Sequence, residues 1–139
     1  MTTPIRILLA DDCPDIRAFV TAALEHEGYQ VVPVSDGLEA LCMVLERAFD
    51  VLVTDYDMPW LNGLQLLVAS RRLRPDKPVI VLSALPDVAP RAMELGACAC
   101  LLKPWEMRAL IAAIRLAVHH PEPGSGEDPW LVPRSLDED

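Results

Sequence analysis

Short apolar segments alternate with stretches of helical hydrophobic periodicity, and the alternation repeats five times along the chain. The apolar segments are rich in Val, Ile and Leu, as expected for strands that are buried on both faces. The predicted strands cover residues 5–10, 29–34, 51–54, 79–82 and 98–102. The predicted helices cover residues 14–27, 36–48, 63–73, a segment that ends near 95, and 105–118. This order predicts an α/β fold: a doubly wound, five-stranded parallel sheet with helices on both faces.

Residues at the predicted helix ends support these boundaries. Pro14 suits the first turn of a helix, and Gly28 and Gly96 each follow the end of one. Asp36 followed three residues later by Glu39 resembles a capping box. Gly63 is expected to let the chain turn into the third helix.

The length of the domain follows from where this pattern stops. The chain has 139 residues, of which 52% are hydrophobic, enough for one core without disulfides. We therefore expect one domain over residues 1–118, followed by a linker-like acidic tail over 119–139. Both a stand-alone chain and a domain cut from a longer protein are compatible with this organisation.

Charge and hydropathy restrict the partners. The net charge of −9 predicts no direct binding of nucleic acid. The sequence shows neither a signal peptide nor an apolar run long enough for a bilayer, so we expect a cytoplasmic protein with no membrane contact. The four cysteines fit neither a disulfide framework nor a paired zinc motif. We interpret them as buried small apolar side chains, with Cys98 and Cys100 on one face of a strand.

Polar residues with complementary chemistry follow four of the five predicted strands. Asp11 and Asp12 follow the first strand, and Asp55 ends the third. Ser83 follows the fourth strand and Lys103 the fifth. Because the carboxyl ends of parallel strands meet at one edge of the sheet, we expect these side chains to converge there.

The converging carboxylates predict a cation site that serves phosphoryl transfer. Like charges about 4 Å apart cost roughly 1 kcal/mol per pair in water and more when buried. A hard divalent cation, Mg²⁺ or Mn²⁺, removes that cost. An aspartate can then act as the nucleophile, while the lysine and the serine hydroxyl stabilise the phosphoryl oxygens.

Taken together, these motifs resemble the receiver domain of bacterial two-component response regulators. The likeness covers residues 5 to about 118 and rests on Leu8-Leu9-Ala10-Asp11-Asp12, Val53-Thr54-Asp55-Tyr56-Asp57-Met58-Pro59, Asn62-Gly63, Ser83-Ala84 and Lys103-Pro104. The resemblance implies a flavodoxin-like fold with strand order 2-1-3-4-5. It also implies that the Lys103–Pro104 bond can be cis.

The resemblance assigns a role to each site residue. It implies that Asp55 is the phosphoacceptor and that Ser83, Ala84 and Lys103 bind the phosphoryl group. The metal ligands that it implies are Asp11, Asp12, Asp55 and the backbone carbonyl of Asp57. It implies a sensor histidine kinase or a phosphotransfer protein as the phosphate donor, an output partner that the sequence does not name, and leaves homodimerisation open.

The sequence departs from the family pattern in three places. Cys100 stands where relatives usually carry Tyr or Phe, three residues before the lysine, so the switch pair here is Ser83 and Cys100. Pro86 and Pro90 shorten the fourth helix, which is expected to start near Pro90. Leu85 is apolar at a position that tunes phosphoryl lifetime in relatives.

Other functions fit parts of the sequence. The altered switch position keeps open an interaction domain that works without phosphorylation. A haloacid-dehalogenase-like phosphatase would use Asp55-Tyr56-Asp57 as its DxD motif, but its motifs come in the reverse order. A flavin-binding module would need a loop rich in Ser, Thr and Gly after the first strand to bind phosphate, and the sequence has no such loop there. We expect a protein that is not an enzyme toward other molecules, although it catalyses its own phosphoryl transfer and dephosphorylation.

Overall fold

A computed structural model describes residues 3–46 and 49–119 of the chain. Five strands alternate with five helices in the predicted order. The elements are β1 (Arg6–Ala10), α1 (Pro14–His26), β2 (Gln30–Val34), α2 (Gly37–Leu45), β3 (Val51–Asp55), α3 (Gly63–Leu73), β4 (Val79–Ser83), α4 (Val88–Glu94), β5 (Ala99–Leu102) and α5 (Met107–His119). The bounds differ from the predicted ones by a few residues at most, as expected for element ends, and the predicted end of the second helix at residue 48 lies outside the described residues.

All five strands are parallel, and their order is β2-β1-β3-β4-β5. This confirms the predicted doubly wound α/β fold. The register sets Ala10 opposite Thr54, and Ser83 opposite Leu102. Because the strand ends are aligned in this way, the residues that follow β1, β3, β4 and β5 lie along the same edge of the sheet.

Two apolar layers hold the helices against the sheet. One layer contains Leu8, Leu52 and Val81 from the strands and packs against α2, α3 and α4. The other contains Ile7, Leu9, Val53 and Ile80, among others, and packs against α1 and α5. The strands alternate between these two layers, so the central strands are apolar on both faces, as the sequence pattern predicted.

Gly28, Gly96 and Asp36 lie at helix ends as predicted, with one change in detail at Asp36. Gly28 and Gly96 adopt φ values of +96° and +105°, which glycine tolerates without a Cβ clash. The Asp36 side chain accepts a hydrogen bond from the Glu39 backbone N–H at 2.8 Å, but the Glu39 carboxylate accepts from the Ser35 N–H rather than from that of Asp36. The reciprocal half of the predicted box is therefore shifted by one residue.

Helix α4 is short, as predicted, but it starts at Val88 and not near Pro90. Pro90 is the third residue of the helix. It is tolerated there because the first N–H groups of a helix have no intrahelical acceptor. The prediction placed the start two residues too late because it treated proline only as a helix breaker.

The interpretation of the cysteines is wrong in two respects. Cys13 and Cys42 are exposed, and only Cys98 is buried. Cys98 lies in the layer of α1 and α5, whereas Cys100 packs against the opposite layer. The predicted strand began one residue too early, so Cys98 precedes β5 and does not share a face with Cys100.

Helix α5 buries one apolar face, as its helical hydrophobic periodicity predicts. Leu110 and Ile114 are fully buried, while Leu116 is 48% exposed. The predicted tail lies outside the described residues, apart from His119. Within the described segments, every helix is too short or too polar to cross a bilayer.

Candidate functional site

Three carboxylates meet at the carboxyl edge of the sheet. Asp11 follows β1 directly, and Asp55 is the last residue of the adjacent strand β3. One oxygen from each of Asp11, Asp12 and Asp55 lies within 4.8 Å of those of the other two. Asp11 and Asp55 are 2% and 4% exposed, and Asp12 is exposed. The sequence-predicted acidic residues are therefore brought together with one face open to solvent.

The Asp11 side chain has one satisfied oxygen and one that has no partner. Its Oδ1 accepts a hydrogen bond from the Cys13 backbone N–H at 2.9 Å. Its Oδ2 is buried, and no group among the described residues donates to it. A buried carboxylate oxygen without a partner costs free energy, so this atom needs a ligand that the described side chains do not supply.

Lys103 supplies a single positive charge to this group. Its Nζ lies 2.7 Å from Asp55 Oδ1, and no other group among the described residues donates to that oxygen. The residue follows β5, and its backbone N–H donates to the Ser83 carbonyl oxygen at 2.7 Å. The Lys103–Pro104 peptide bond is cis, as the resemblance implies. One ammonium therefore faces three carboxylates.

Burial and charge shift the pKa values of these groups. Burial raises the pKa of Asp55 above its usual value, and Lys103 only partly offsets this effect. Burial also raises the pKa of Asp11, against the lowering effect of the Cys13 N–H. Burial by itself lowers the pKa of Lys103, but its contact with Asp55 and the neighbouring carboxylates outweigh this, so the net pKa is raised. The charged form of Lys103 is thus favoured, while burial makes the charged forms of Asp11 and Asp55 less favourable.

Ser83 lies at the end of β4 and is 2% exposed. Its hydroxyl accepts a hydrogen bond from the Leu85 N–H at 2.9 Å and lies 3.1 Å from the Leu85 carbonyl oxygen. The hydroxyl is therefore engaged with its own loop. A phosphoryl group at Asp55 would have to compete for it.

A cleft of about 370 Å³ opens over the three carboxylates and Lys103. Its polar side is formed by the acidic group, Asp57 and Lys103, and Ala84 lines it as well. Its apolar side is formed by Ile16, Tyr56 and Leu85. Asp57 is exposed and lies outside the group of three converging carboxylates.

Gly63 lets α3 begin close to the site. A Cβ at this position would lie 2.5 Å from the Asp55 carbonyl oxygen and 2.8 Å from the Tyr56 Cα. The Gly63 N–H donates to the Tyr56 carbonyl oxygen at 2.8 Å. The glycine is thus required by close approach of the backbone, and not by the turn conformation that the sequence suggested.

Cys100 lies on β5, half-buried against the layer of α2, α3 and α4. Burial raises the pKa of its thiol, which favours the neutral form. The thiol is small, and no aromatic ring stands at this position.

Two residues near the site were missed by sequence reasoning. Arg17 donates from Nη1 to the Asp11 carbonyl oxygen at 2.7 Å, and Ile16 lines the cleft. Both lie near the start of α1. Which side of this helix faces the site depends on its rotation relative to β1, and no motif in the sequence indicates that rotation.

The fold and the site define a class: a doubly wound α/β domain with an acidic, lysine-containing site at the carboxyl edge of its sheet. A family model described as "Response regulator receiver domain" matches residues 7–115. The chain belongs to this family. It is not a member of a classical enzyme family, and the phosphatase and flavin readings are thereby set aside.

Relatives and solved structures agree with this assignment. The chain is 34% identical over 127 residues to the response regulator MprA of Mycobacterium sp. (strain KMS). The matched segment covers 90% of this chain and 55% of the relative. It is 37% identical over 117 residues to the transcriptional regulatory protein PrrA of Mycobacterium tuberculosis, covering 83% of this chain and 50% of the relative. The chain thus spans about half the length of these curated relatives.

Two solved receiver domains show the same architecture. The Francisella response regulator 1452 receiver domain matches with a TM-score of 0.80 and 31% identity, over 86% of this chain and 100% of that one. A receiver domain protein from Clostridium thermocellum matches with a TM-score of 0.79 and 33% identity, over 83% of this chain and 94% of that one.

Proposed function

We propose that this chain is the phosphoacceptor domain of a two-component phosphorelay and that Asp55 takes the phosphoryl group with the help of Mg²⁺. The observation that carries the proposal is the placement of Asp55 between Lys103 and two further carboxylates in an open cleft. This arrangement provides a nucleophile, a cation site and a fixed positive charge, which are the parts that phosphoryl transfer requires.

The acidic group fits a hard divalent cation. Asp11 Oδ2 is buried and has no partner among residues 3–46 and 49–119, and three carboxylate oxygens lie within 4.8 Å of one another. Oxygen ligands in such a set suit Mg²⁺ or Mn²⁺. Asp11, Asp12 and Asp55 would hold the ion, together with the Asp57 carbonyl that the family resemblance implies. When bound, the cation neutralises charge on the carboxylates and on the phosphoryl oxygens.

The protein's own residues then position the transfer. An Asp55 carboxylate oxygen attacks phosphorus, the new O–P bond forms, and the bond to the donor breaks with its electron pair leaving on the donor. Lys103 stabilises the negative charge of the equatorial oxygens. Ser83 exchanges its hydrogen bonds with Leu85 for one to a phosphoryl oxygen, and Ala84 lines the position that this group occupies.

The same site accounts for the expected self-catalysed steps. Small phosphodonors react because the nucleophile and the charge-stabilising groups all belong to this chain, and water in the open cleft later hydrolyses the acyl phosphate. The apolar Leu85 at the cleft neither donates nor accepts hydrogen bonds from its side chain, so it does not orient that water.

We further propose the partners and the domain limits. The family is that of response regulator receiver domains and one relative named above is a response regulator, which supports a sensor histidine kinase or a phosphotransfer protein as the physiological donor. The output passes through protein–protein contacts, and homodimerisation stays open. The receiver domain spans residues 1–118, and the acidic segment 119–139 serves as a linker.

A mass spectrum of the intact protein tests the proposal. Acetyl phosphate with Mg²⁺ should add one phosphoryl group to the wild-type chain, and a chelator should prevent the addition. Asp55→Asn should abolish labelling, while Asp57→Asn, a change at an exposed carboxylate outside the converging group, should retain it. Equal labelling of wild type and Asp55→Asn would refute the assignment and favour an interaction domain that works without phosphorylation.

A further inference from the structure

The orientation of Asp11 depends on three contacts that leave one oxygen free. Its backbone N–H donates to the Val34 carbonyl oxygen at 3.2 Å, and its Oδ1 accepts from the Cys13 N–H at 2.9 Å. Its carbonyl oxygen accepts from Arg17 Nη1 at 2.7 Å. Within the described part of the chain, only Oδ2 has no partner, and it is buried.

Arg17 is the only side chain among these contacts. It sits one helical turn beyond Cys13, because its own N–H donates to the Cys13 carbonyl oxygen at 2.9 Å. The N-terminal cap of α1 at Cys13 has no side-chain hydrogen bond. The guanidinium therefore ties the end of β1 to the first turn of α1, across the short segment that carries Asp11 and Asp12.

We infer that Arg17 is a positioning residue for the cation site: its hydrogen bond to the Asp11 carbonyl fixes the turn that presents Asp11 and Asp12. The inference rests on the proposed function, in which these two carboxylates hold Mg²⁺. Groups that orient metal ligands typically contribute a factor of about 10 to 100 in metal affinity.

The charge of Arg17 and its hydrogen bond act in opposite directions on Mg²⁺. A guanidinium near the site repels a divalent cation, so its charge alone weakens binding. The hydrogen bond holds the ligands in place, so it strengthens binding. A neutral substitution therefore separates the two roles by the sign of its effect.

Calorimetric titration of Mg²⁺ into the full chain is the test. Arg17→Met should weaken Mg²⁺ affinity about tenfold, in the range given by lost orienting contacts. Arg17→Lys, which keeps the positive charge and a donor nitrogen, should retain part of the Mg²⁺ affinity that Arg17→Met loses. Arg115→Met is the matched control: Arg115 pairs with Glu27 at 3.0 Å between α5 and the end of α1, and its loss should leave Mg²⁺ affinity unchanged.

Labelling by acetyl phosphate adds a second readout. Arg17→Met should need more Mg²⁺ for half-maximal labelling, yet approach the wild-type rate at saturating Mg²⁺. Tighter Mg²⁺ binding by Arg17→Met would show a purely electrostatic role and overturn the inference. Unchanged affinity with only a lower melting temperature would show a structural role and overturn it as well. Absence of Mg²⁺ binding by the wild-type chain would instead refute the proposed function.

Discussion

An aspartate lies at each end of strand β3, and the two differ in the number of cationic side chains that they contact. Asp50 precedes the strand at the amino edge of the sheet, where its Oδ2 accepts from the Arg6 N–H at 2.8 Å and lies 3.6 Å from Arg6 Nε. Its Oδ1 lies 3.8 Å from Lys77 Nζ. Asp55 ends the strand at the carboxyl edge, where one lysine is shared with two further carboxylates.

These contacts distinguish Asp50, which has a structural role, from Asp55, which we propose to be the reactive carboxylate. Two cations and a backbone N–H satisfy Asp50, so that it ties β1, β3 and the α3–β4 connection together. Asp55 has one cation, and burial raises its pKa. Burial therefore disfavours the charged form of Asp55 at the carboxyl edge, and a bound cation would relieve that cost. At the amino edge, both carboxylate oxygens of Asp50 already contact cationic side chains.

The largest expected effect concerns Mg²⁺ at the carboxyl edge. Asp12→Ala removes a side chain that we propose as a ligand and should weaken Mg²⁺ affinity by more than about tenfold, since even orienting groups contribute that much. Asp57→Ala should weaken it only a few-fold, because the residue is expected to offer its carbonyl, which the substitution keeps. Calorimetric or fluorescence titration measures both. Equal losses would mean that the Asp57 carboxylate is itself a ligand.

A second prediction is that Asp11→Asn raises the free energy of unfolding, whereas loss of a partnered aspartate usually lowers it. The pKa of Asp11 is raised in the fold, so its stabilising, protonated form is complete below the usual value and is lost as pH rises through the raised pKa. At neutral pH the charged form therefore costs stability. Burial is the largest cause of this cost, because desolvation penalises the charged form, and the Cys13 N–H and Lys103 offset part of it.

We therefore expect Asp11→Asn to raise the unfolding free energy of the metal-free protein by about 1–2 kcal/mol at pH 7, measured by urea denaturation. The gain should shrink as pH falls toward 4. Asp50→Asn should instead lower the unfolding free energy by about 1 kcal/mol, because it weakens contacts with two cations. Destabilisation by both variants at pH 7 would contradict the contrast between the two edges.

The smallest expected effect concerns the switch. Phosphoryl binding should draw Ser83 away from Leu85, but the Cys100 thiol fills little of the space that a ring would fill. A ligand shifts a conformational equilibrium only through its differential interaction with the two states. Amide exchange with and without beryllofluoride should therefore change mainly between Ser83 and Pro90 and in α4. Changes centred on Cys100 and α5, with a quiet Ser83–Pro90 loop, would contradict this.

The fold was predictable because its strands are buried on both faces and its helices have clear periodicity. The gathering of Asp11, Asp55 and Lys103 followed from the strand ends alone, since parallel strands align their carboxyl ends. Ser83 ends β4 at the same edge, but it is not among the residues that line the cleft. Whether each residue has its assigned chemical role stays a prediction. The Asn62–Gln65 capping box was also readable, as the same spacing that identified Asp36, but it was not recognised.

Other features depend on geometry that the sequence does not encode locally. The contact of Arg17 with the Asp11 carbonyl requires the rotation of α1 about its axis. Cys98 lies one residue before β5, so the alternation of side chains along the strand does not determine its layer. The close approach behind Gly63 arises between α3 and the backbone of β3, which no short pattern reveals.

The central claim is that the carboxyl end of β3, and not any neighbouring carboxylate, forms the acyl phosphate. The most direct measurement treats the protein with acetyl phosphate and Mg²⁺, reduces it with borohydride, and locates the homoserine that replaces a phosphorylated aspartate by peptide mass spectrometry. The account predicts homoserine at position 55 alone, with fragment ions separating it from Asp57. Homoserine at Asp11, Asp12 or Asp57 instead, in a protein that gains one phosphoryl group, would contradict it.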